Sequence, residues 1–164
     1  GGPPGFAGAP DAEMGAALVG LSGLPLVGFG EISWLAVTTG RDVGALTKPS
    51  WVHALAAVLT ASGWSKEDSL HFAARQPEKW KLSHLAHLQA GRITVFEDTP
   101  GGIIAVQAAA GLLSKLGIEL ELRKIGIAAE PSKRAALEAQ GAIVFTEIDQ
   151  ALASLDDFRT FSAD

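Results

Sequence analysis

The stretch Ile93-Thr94-Val95-Phe96-Glu97-Asp98-Thr99-Pro100-Gly101-Gly102-Ile103 constrains the fold of this chain more than any other. Its first four residues are β-branched or aromatic and read as a buried strand, which runs directly into two adjacent carboxylates and a Thr-Pro-Gly-Gly turn. The acids therefore stand at a strand's C-terminal end, the edge where open α/β sheets bind ligands. Thr99 suits the N-cap and Pro100 the first position of a helix that continues through Ile103-Ile104-Ala105-Val106. Strand, acid pair and helix form one rigid unit.

The rest of the chain alternates in the same way. Ile32 to Thr38 reads as a strand that ends in the polar turn Thr38-Thr39-Gly40-Arg41-Asp42. Pro49 opens a helix with Trp51, Val52, Leu55, Val58 and Leu59 on one face, and Gly63 ends it. Ser69 to Ala73 is a short strand, and Lys79 to Gln89 returns to helical spacing through Leu82, Leu85 and Leu88. Beyond the central unit come a strand at Lys124 to Ala128, a helix from Pro131 to Gln140 stopped by Gly141, a strand at Ile143 to Phe145 and a helix from Glu147 to Leu155. Alternation of this kind predicts an α/β fold: a mainly parallel sheet covered by helices on both faces, three layers in Rossmann-like order. The strands ending at Thr38 and Phe96 are expected to be central, with Thr39 and Asp98 facing one cleft, and the helix from Pro131 is expected to bury Ala135 and Leu137.

Residues 1–30 form a Gly/Pro/Ala-rich lead, residues 31–155 the α/β domain and residues 156–164 a polar tail. Within the lead, Ala16 to Gly30 is apolar but punctuated by glycine and proline, which suits either a short helix or irregular packing. Cysteine is absent, which excludes disulfides and thiolate sites and suits a reducing cytoplasm. A net charge of −5 offers no general field for a phosphodiester backbone, so nucleic acid is not an expected partner. No apolar run is long enough to span a bilayer, so no membrane is expected either.

Three groups of residues could carry chemistry. Glu97 and Asp98 can offer one oxygen to Mg²⁺ and a second group to a coordinating water; their alternative role is the favourable charge of acids near a helix N-terminus. Thr38 and Thr39 precede Gly40, and a hydroxyl beside free backbone N–H groups in a glycine turn makes an oxyanion receptor; the alternative is an ordinary strand end and turn. His53, His71, His84 and His87 are expected to be surface or half-buried histidines: His84 and His87 could share a helix face, but no third ligand stands at metal-binding spacing. Gly28-Phe29-Gly30 is too short for a dinucleotide-binding loop and precedes a strand where it should follow one.

The acid pair with Thr-Pro-Gly-Gly-Ile resembles the last motif of the haloacid dehalogenase-like hydrolases, where it closes a magnesium site, and Val37-Thr38-Thr39-Gly40-Arg41 is similar to their second motif. The resemblance extends over roughly Ile32 to Leu155. It implies a HAD-like fold, Mg²⁺ as cofactor held by Asp98 and Glu97, a small phosphorylated molecule as substrate, and Thr39 on its phosphoryl group with Thr38 and Gly40 alongside. It also implies a lysine at the start of the helix before the acidic strand, between nucleophile and phosphate. Lys79 and Lys81 have the expected position, whereas Lys48 in Leu-Thr-Lys-Pro is closer in form but precedes a further helix and strand.

The family's Asp-x-Asp nucleophile run is missing from this sequence; Asp11 and Glu13 have acid-x-acid spacing but follow no strand. Ala17-Leu18-Val19-Gly20-Leu21 could supply the first strand only if the chain crossed over to Ile32 within about ten residues, too few for a parallel neighbour. The chain is therefore expected either to lack an upstream segment, which its Gly-Gly start favours, or to have lost catalysis, with weak Mg²⁺ binding. A non-catalytic α/β module that binds a ligand or partner is the second expectation.

Overall fold

The computed structural model describes residues 14, 17, 18, 20, 23–85, 88 and 91–156; the lead 1–10, most of 16–22 and the tail beyond residue 156 lie outside them. The described chain is mixed α/β. Helix α1 spans Phe29–Thr39, α2 Trp51–Ala61 and α3 Lys66–Ala73, followed by 3₁₀ turns at Pro77–Lys79 and Leu82–Leu85. Strand β1 (Gly91–Glu97), α4 (Pro100–Ser114), β2 (Leu120–Ile127), α5 (Pro131–Glu138), β3 (Ile143–Phe145) and α6 (Ile148–Asp156) complete it. The second half is thus an unbroken βαβαβα succession. It builds a three-stranded parallel sheet of order β1-β2-β3, with Glu97 opposite Gly126 and Ile125 opposite Ile143.

The first half departs from the expected alternation. Ile32 to Thr38 is helix, not strand, because its burial follows helical spacing: Ile32, Leu35 and Ala36 are buried while Val37 is 74% exposed. A strand would have put Ile32, Trp34, Ala36 and Thr38 on one face. Glu31 in the first turn of α1 accepts from the Gly28 backbone N–H at 2.9 Å, and Gly40 closes the helix in the left-handed conformation at φ 65°. Ser69 to Ala73 is also helix. Its start carries a signal that the strand reading overlooked, Ser65-x-x-Asp68: the Ser65 hydroxyl oxygen accepts from the Asp68 backbone N–H at 3.1 Å and donates to the Asp68 carboxylate at 2.7 Å. Of the helix expected over Lys79 to Gln89, the described part up to Leu85 forms 3₁₀ turns, and residues 86, 87 and 89 lie outside the described ones. Trp80 forces the break, since it adopts an extended backbone at φ −75°, ψ 143° to bury its indole between Phe72, stacked at 5.2 Å, and Trp51, edge-on at 5.3 Å.

From Pro49 to Ala61 and from Pro100 onward the expected and observed elements agree in kind and order, although β2 begins at Leu120, ahead of the expected Lys124, and α5 ends at Glu138, short of Gln140. Pro100 and Pro131 stand in the first turns of their helices, although Thr99 caps α4 by position alone, without a side-chain hydrogen bond. Leu137 on α5 is fully buried as expected, but Ala135 is exposed.

The larger core gathers Ile32, Leu35, Leu55, Leu59, Leu70 and Leu113, all fully buried, so that α2 lies between α3 and α4. Full burial of one such side chain is worth about 1.5–3 kcal/mol, and this cluster is what attaches the helical first half to the sheet. A smaller core of Ile103, Ala128, Leu137 and Ala142 holds α5 against the other side of the unit. Across the larger core's rim Lys66 reaches Glu31 at 2.7 Å; Glu31 is only 1% exposed. Burial alone would raise its carboxyl pKa, but the hydrogen bond and charge of Lys66 and the backbone N–H groups at Gly28 and Glu31 outweigh it and hold the pKa below its usual value. No helix among the described residues is long and apolar enough to cross a membrane.

Candidate functional site

The site is built at the C-terminal end of β1, from two segments far apart in sequence. Glu97 is the last residue of the strand, and Lys48, in the turn that Ser50 caps into α2, reaches its Oε1 with Nζ at 2.5 Å. Lys48 is 47% exposed at its side chain and Glu97 12%, so the pair stands at the mouth of a cleft with the carboxylate on the inner side. Gly102, in the first turn of α4, makes room for that carboxylate: a Cβ there would fall 1.9 Å from Glu97 Cδ. The acid thus ends against the positive end of a 15-residue helix dipole. Asp98, one residue on, is exposed and has no salt-bridge partner among the described residues.

A cavity of about 520 Å³ opens beside this pair. All of Ile93 to Glu97 line it, and since side chains on a strand alternate between faces, five consecutive residues can share one cavity only along the strand's edge. Among the described residues β1 pairs with β2 alone, which leaves this edge open. Small side chains of α2 (Ala54, Ala57, Ala61) and of α4 (Gly102, Ala105) wall the groove. A second cavity of about 350 Å³ continues it past Gly91 and Arg92. The expectation that β1 is central is therefore corrected: β2 holds the middle of the described sheet, and the strand expected to end at Thr38 does not exist.

The remaining expected site residues lie elsewhere. Thr38 and Thr39 end α1, where the Thr39 hydroxyl donates to the Leu35 carbonyl at 2.6 Å and the Thr38 hydroxyl to the Trp34 carbonyl at 3.0 Å. Both hydroxyl protons serve the helix end, and neither threonine lines the cavity of Glu97; Gly40 is a helix cap, not an oxyanion turn. Lys79 belongs to the 3₁₀ turn Pro77–Lys79 and faces a separate cavity, and Lys81 follows it outside the Glu97 groove. The lysine brought to the acid pair is Lys48. Its local form, Lys-Pro before a helix, is the sequence signal that points to it, and distance along the chain is the signal that misleads: α3 and the 3₁₀ turns intervene in sequence while α2 and α4 pack directly together.

Comparison of the chain with protein-family models, with curated proteins and with solved structures finds no match.

The site also contains one of the histidines expected to be surface or half-buried, and it is half-buried. His53, in the first turn of α2, lines the groove and donates from Nε2 to the Val27 carbonyl at 2.8 Å. Val27 is thereby fixed at the groove's rim. The donor set for a metal is modest. Among the described residues no three His, Asp or Glu side chains gather in one place, and of the two adjacent carboxylates Glu97 is engaged by Lys48. Asp98 offers a single exposed carboxylate, and a Mg²⁺ ion bound through one or two carboxylates completes its shell with water and other oxygens.

Proposed function

We propose that this chain is the phosphoryl- and metal-binding part of a haloacid dehalogenase-like hydrolase, in complete form a Mg²⁺-dependent phosphatase on a small phosphorylated molecule, with a three-layer Rossmann-like arrangement. One observation carries the proposal: Lys48 and Glu97, 49 residues apart, meet at 2.5 Å at the C-terminal end of a parallel strand, with the free carboxylate of Asp98 beside them. In this reading Lys48 takes the place expected of Lys79 or Lys81. Its ammonium balances the Glu97 carboxylate and, with the other N–H directions still open to solvent, offers a phosphoryl oxygen a charge-assisted hydrogen bond. Asp98 would hold the cation, which when bound neutralises phosphoryl oxygens as a Lewis acid. The open edge of β1 and its small-residue walls support the reading further, because a nucleophile-bearing strand parallel to β1 would deliver its own C-terminal end beside Glu97.

Without an Asp-x-Asp run the chain by itself is proposed to bind and not to turn over, since no attacking carboxylate and acid/base partner are supplied. The test is titration with inorganic phosphate in excess Mg²⁺, followed by calorimetry, alongside hydrolysis of an aryl phosphate. Saturable Mg²⁺-dependent binding, millimolar at best, that is lost in both Lys48→Ala and Asp98→Asn is the expected result. Mg²⁺-dependent binding that neither substitution changes overturns the proposal; hydrolysis that Asp98→Asn abolishes would place a nucleophile within this chain after all.

A further inference from the structure

A separate cavity, of about 780 Å³, lies on the other flank of the α2 N-terminus, and its lining differs in kind from the apolar groove along β1. Arg41, Arg75 and Lys79 converge on it, against a single carboxylate, Glu78. The chain as a whole carries −5, so three cations gathered around one space run against its average. Among the described residues none of the three forms a salt bridge, whereas Lys48, Lys66, Arg92 and Arg134 each do. Three cations facing one carboxylate leave a surplus of positive charge that an anion would balance.

Two of the cations are held in place. Arg41 donates from Nη1 to the Ala74 carbonyl at 3.1 Å, which ties the loop after α1 to the end of α3, and Arg75 lies over the Phe72 ring at 5.9 Å from its centre. Trp51, half-buried and braced edge-on against Trp80, supplies one flat wall. The volume falls in the range of small-molecule sites, roughly 300–1,000 Å³. Guanidinium forks bind phosphate oxygens in pairs, and a lysine adds a point charge. We infer that this cavity binds a small organic phosphate carrying at least two negative charges, through Arg41, Arg75 and Lys79, with its non-phosphate part against Trp51. The inference does not depend on the role proposed for Lys48 and Asp98.

Inorganic pyrophosphate without Mg²⁺ is the probe, titrated into the full chain by calorimetry, with the variants Arg75→Gln/Lys79→Gln and Lys48→Ala compared. Arg75 and Lys79 are exposed, so their replacement is expected to leave the protein folded, with the thermal midpoint lowered only by the loss of the Arg75–Phe72 contact. The expected result is one saturable site that weakens at least tenfold in the double variant, weakens with added salt, and is unaltered by Lys48→Ala. Trp51 fluorescence, isolated by difference from Trp51→Phe, should respond to pyrophosphate in the wild type and not in the double variant. No saturable binding, equal affinity in the double variant, or loss through Lys48→Ala alone would each overturn the assignment.

Discussion

The carboxylate of Glu97 fills the space that a side chain at Gly102 would need. The strand end and the first turn of α4 are thereby interlocked across the Thr-Pro turn, and Lys48 closes the third side at 2.5 Å. Gly102→Ala must move the carboxylate or the helix, and a clash of this kind costs about 1–3 kcal/mol. The same substitution made on Glu97→Ala should cost less than about 0.5 kcal/mol, because the competing atoms are gone. Denaturant unfolding of the two single variants and the double variant checks the coupling; additive losses would show that Gly102 is required for another reason.

Glu31 and Lys66 predict a pH dependence. The Glu31 pKa is held below its usual value of 4.5, so the unfolded chain binds the proton more readily and folding stability rises with pH through this window. Glu31's contribution is complete above 4.5 and is lost as pH falls through the lower folded value. Lys66→Met leaves a carboxylate that is 1% exposed without its cation, which should cost about 1–3 kcal/mol near neutrality, less than a wholly buried pair because Lys66 itself reaches solvent. The gap between wild type and variant should narrow as the medium is acidified below 4.5, where the neutral carboxyl becomes acceptable in both. Thermal melts across this range measure it; a constant gap would mean that Lys66 acts by packing alone.

Leu137 is fully buried in the smaller core and packs against Gly126, where an added Cβ would meet Leu137 Cδ1 at 3.0 Å. Leu137→Ala should destabilise by about 2–5 kcal/mol. A loss below about 1 kcal/mol in denaturant would mean that the small core collapses around the gap at little cost.

Ser65→Ala removes the cap of α3 and should cost about 0.5–2 kcal/mol. Since α3 carries Phe72, on which Trp80 stacks, the loss should be visible as increased exposure of tryptophan fluorescence before global unfolding. Ser65→Asp, which can accept from the same N–H, should recover most of it.

How far the fold was legible in the sequence divides at Gly91. Beyond it, Pro100, Pro131 and Gly141 punctuate the chain at helix boundaries, and Ile143 to Phe145 is too short and too β-branched to be anything but a strand. These are local determinants: a fixed φ, a missing N–H, a glycine at φ 73°, acting within a few bonds whatever surrounds them. The acid pair at the end of β1 was legible for the same reason.

Before Gly91, outside the helix that Pro49 opens, only the tertiary structure decides. Ile32 to Thr38 has enough β-branched character for a strand and enough helical spacing for α1, and the choice falls to the helix because Ile32 and Leu35 find a common core with Leu55 and Leu70. The same packing decides the site. Bringing α2 against α4 carries Lys48 across 49 residues to Glu97, and it turns Lys79 away to the cavity of Arg41 and Arg75. Propensity and motif act along the chain over one or two turns, whereas the meeting of two charges depends on which apolar faces are buried together, and that is settled only when the whole core closes.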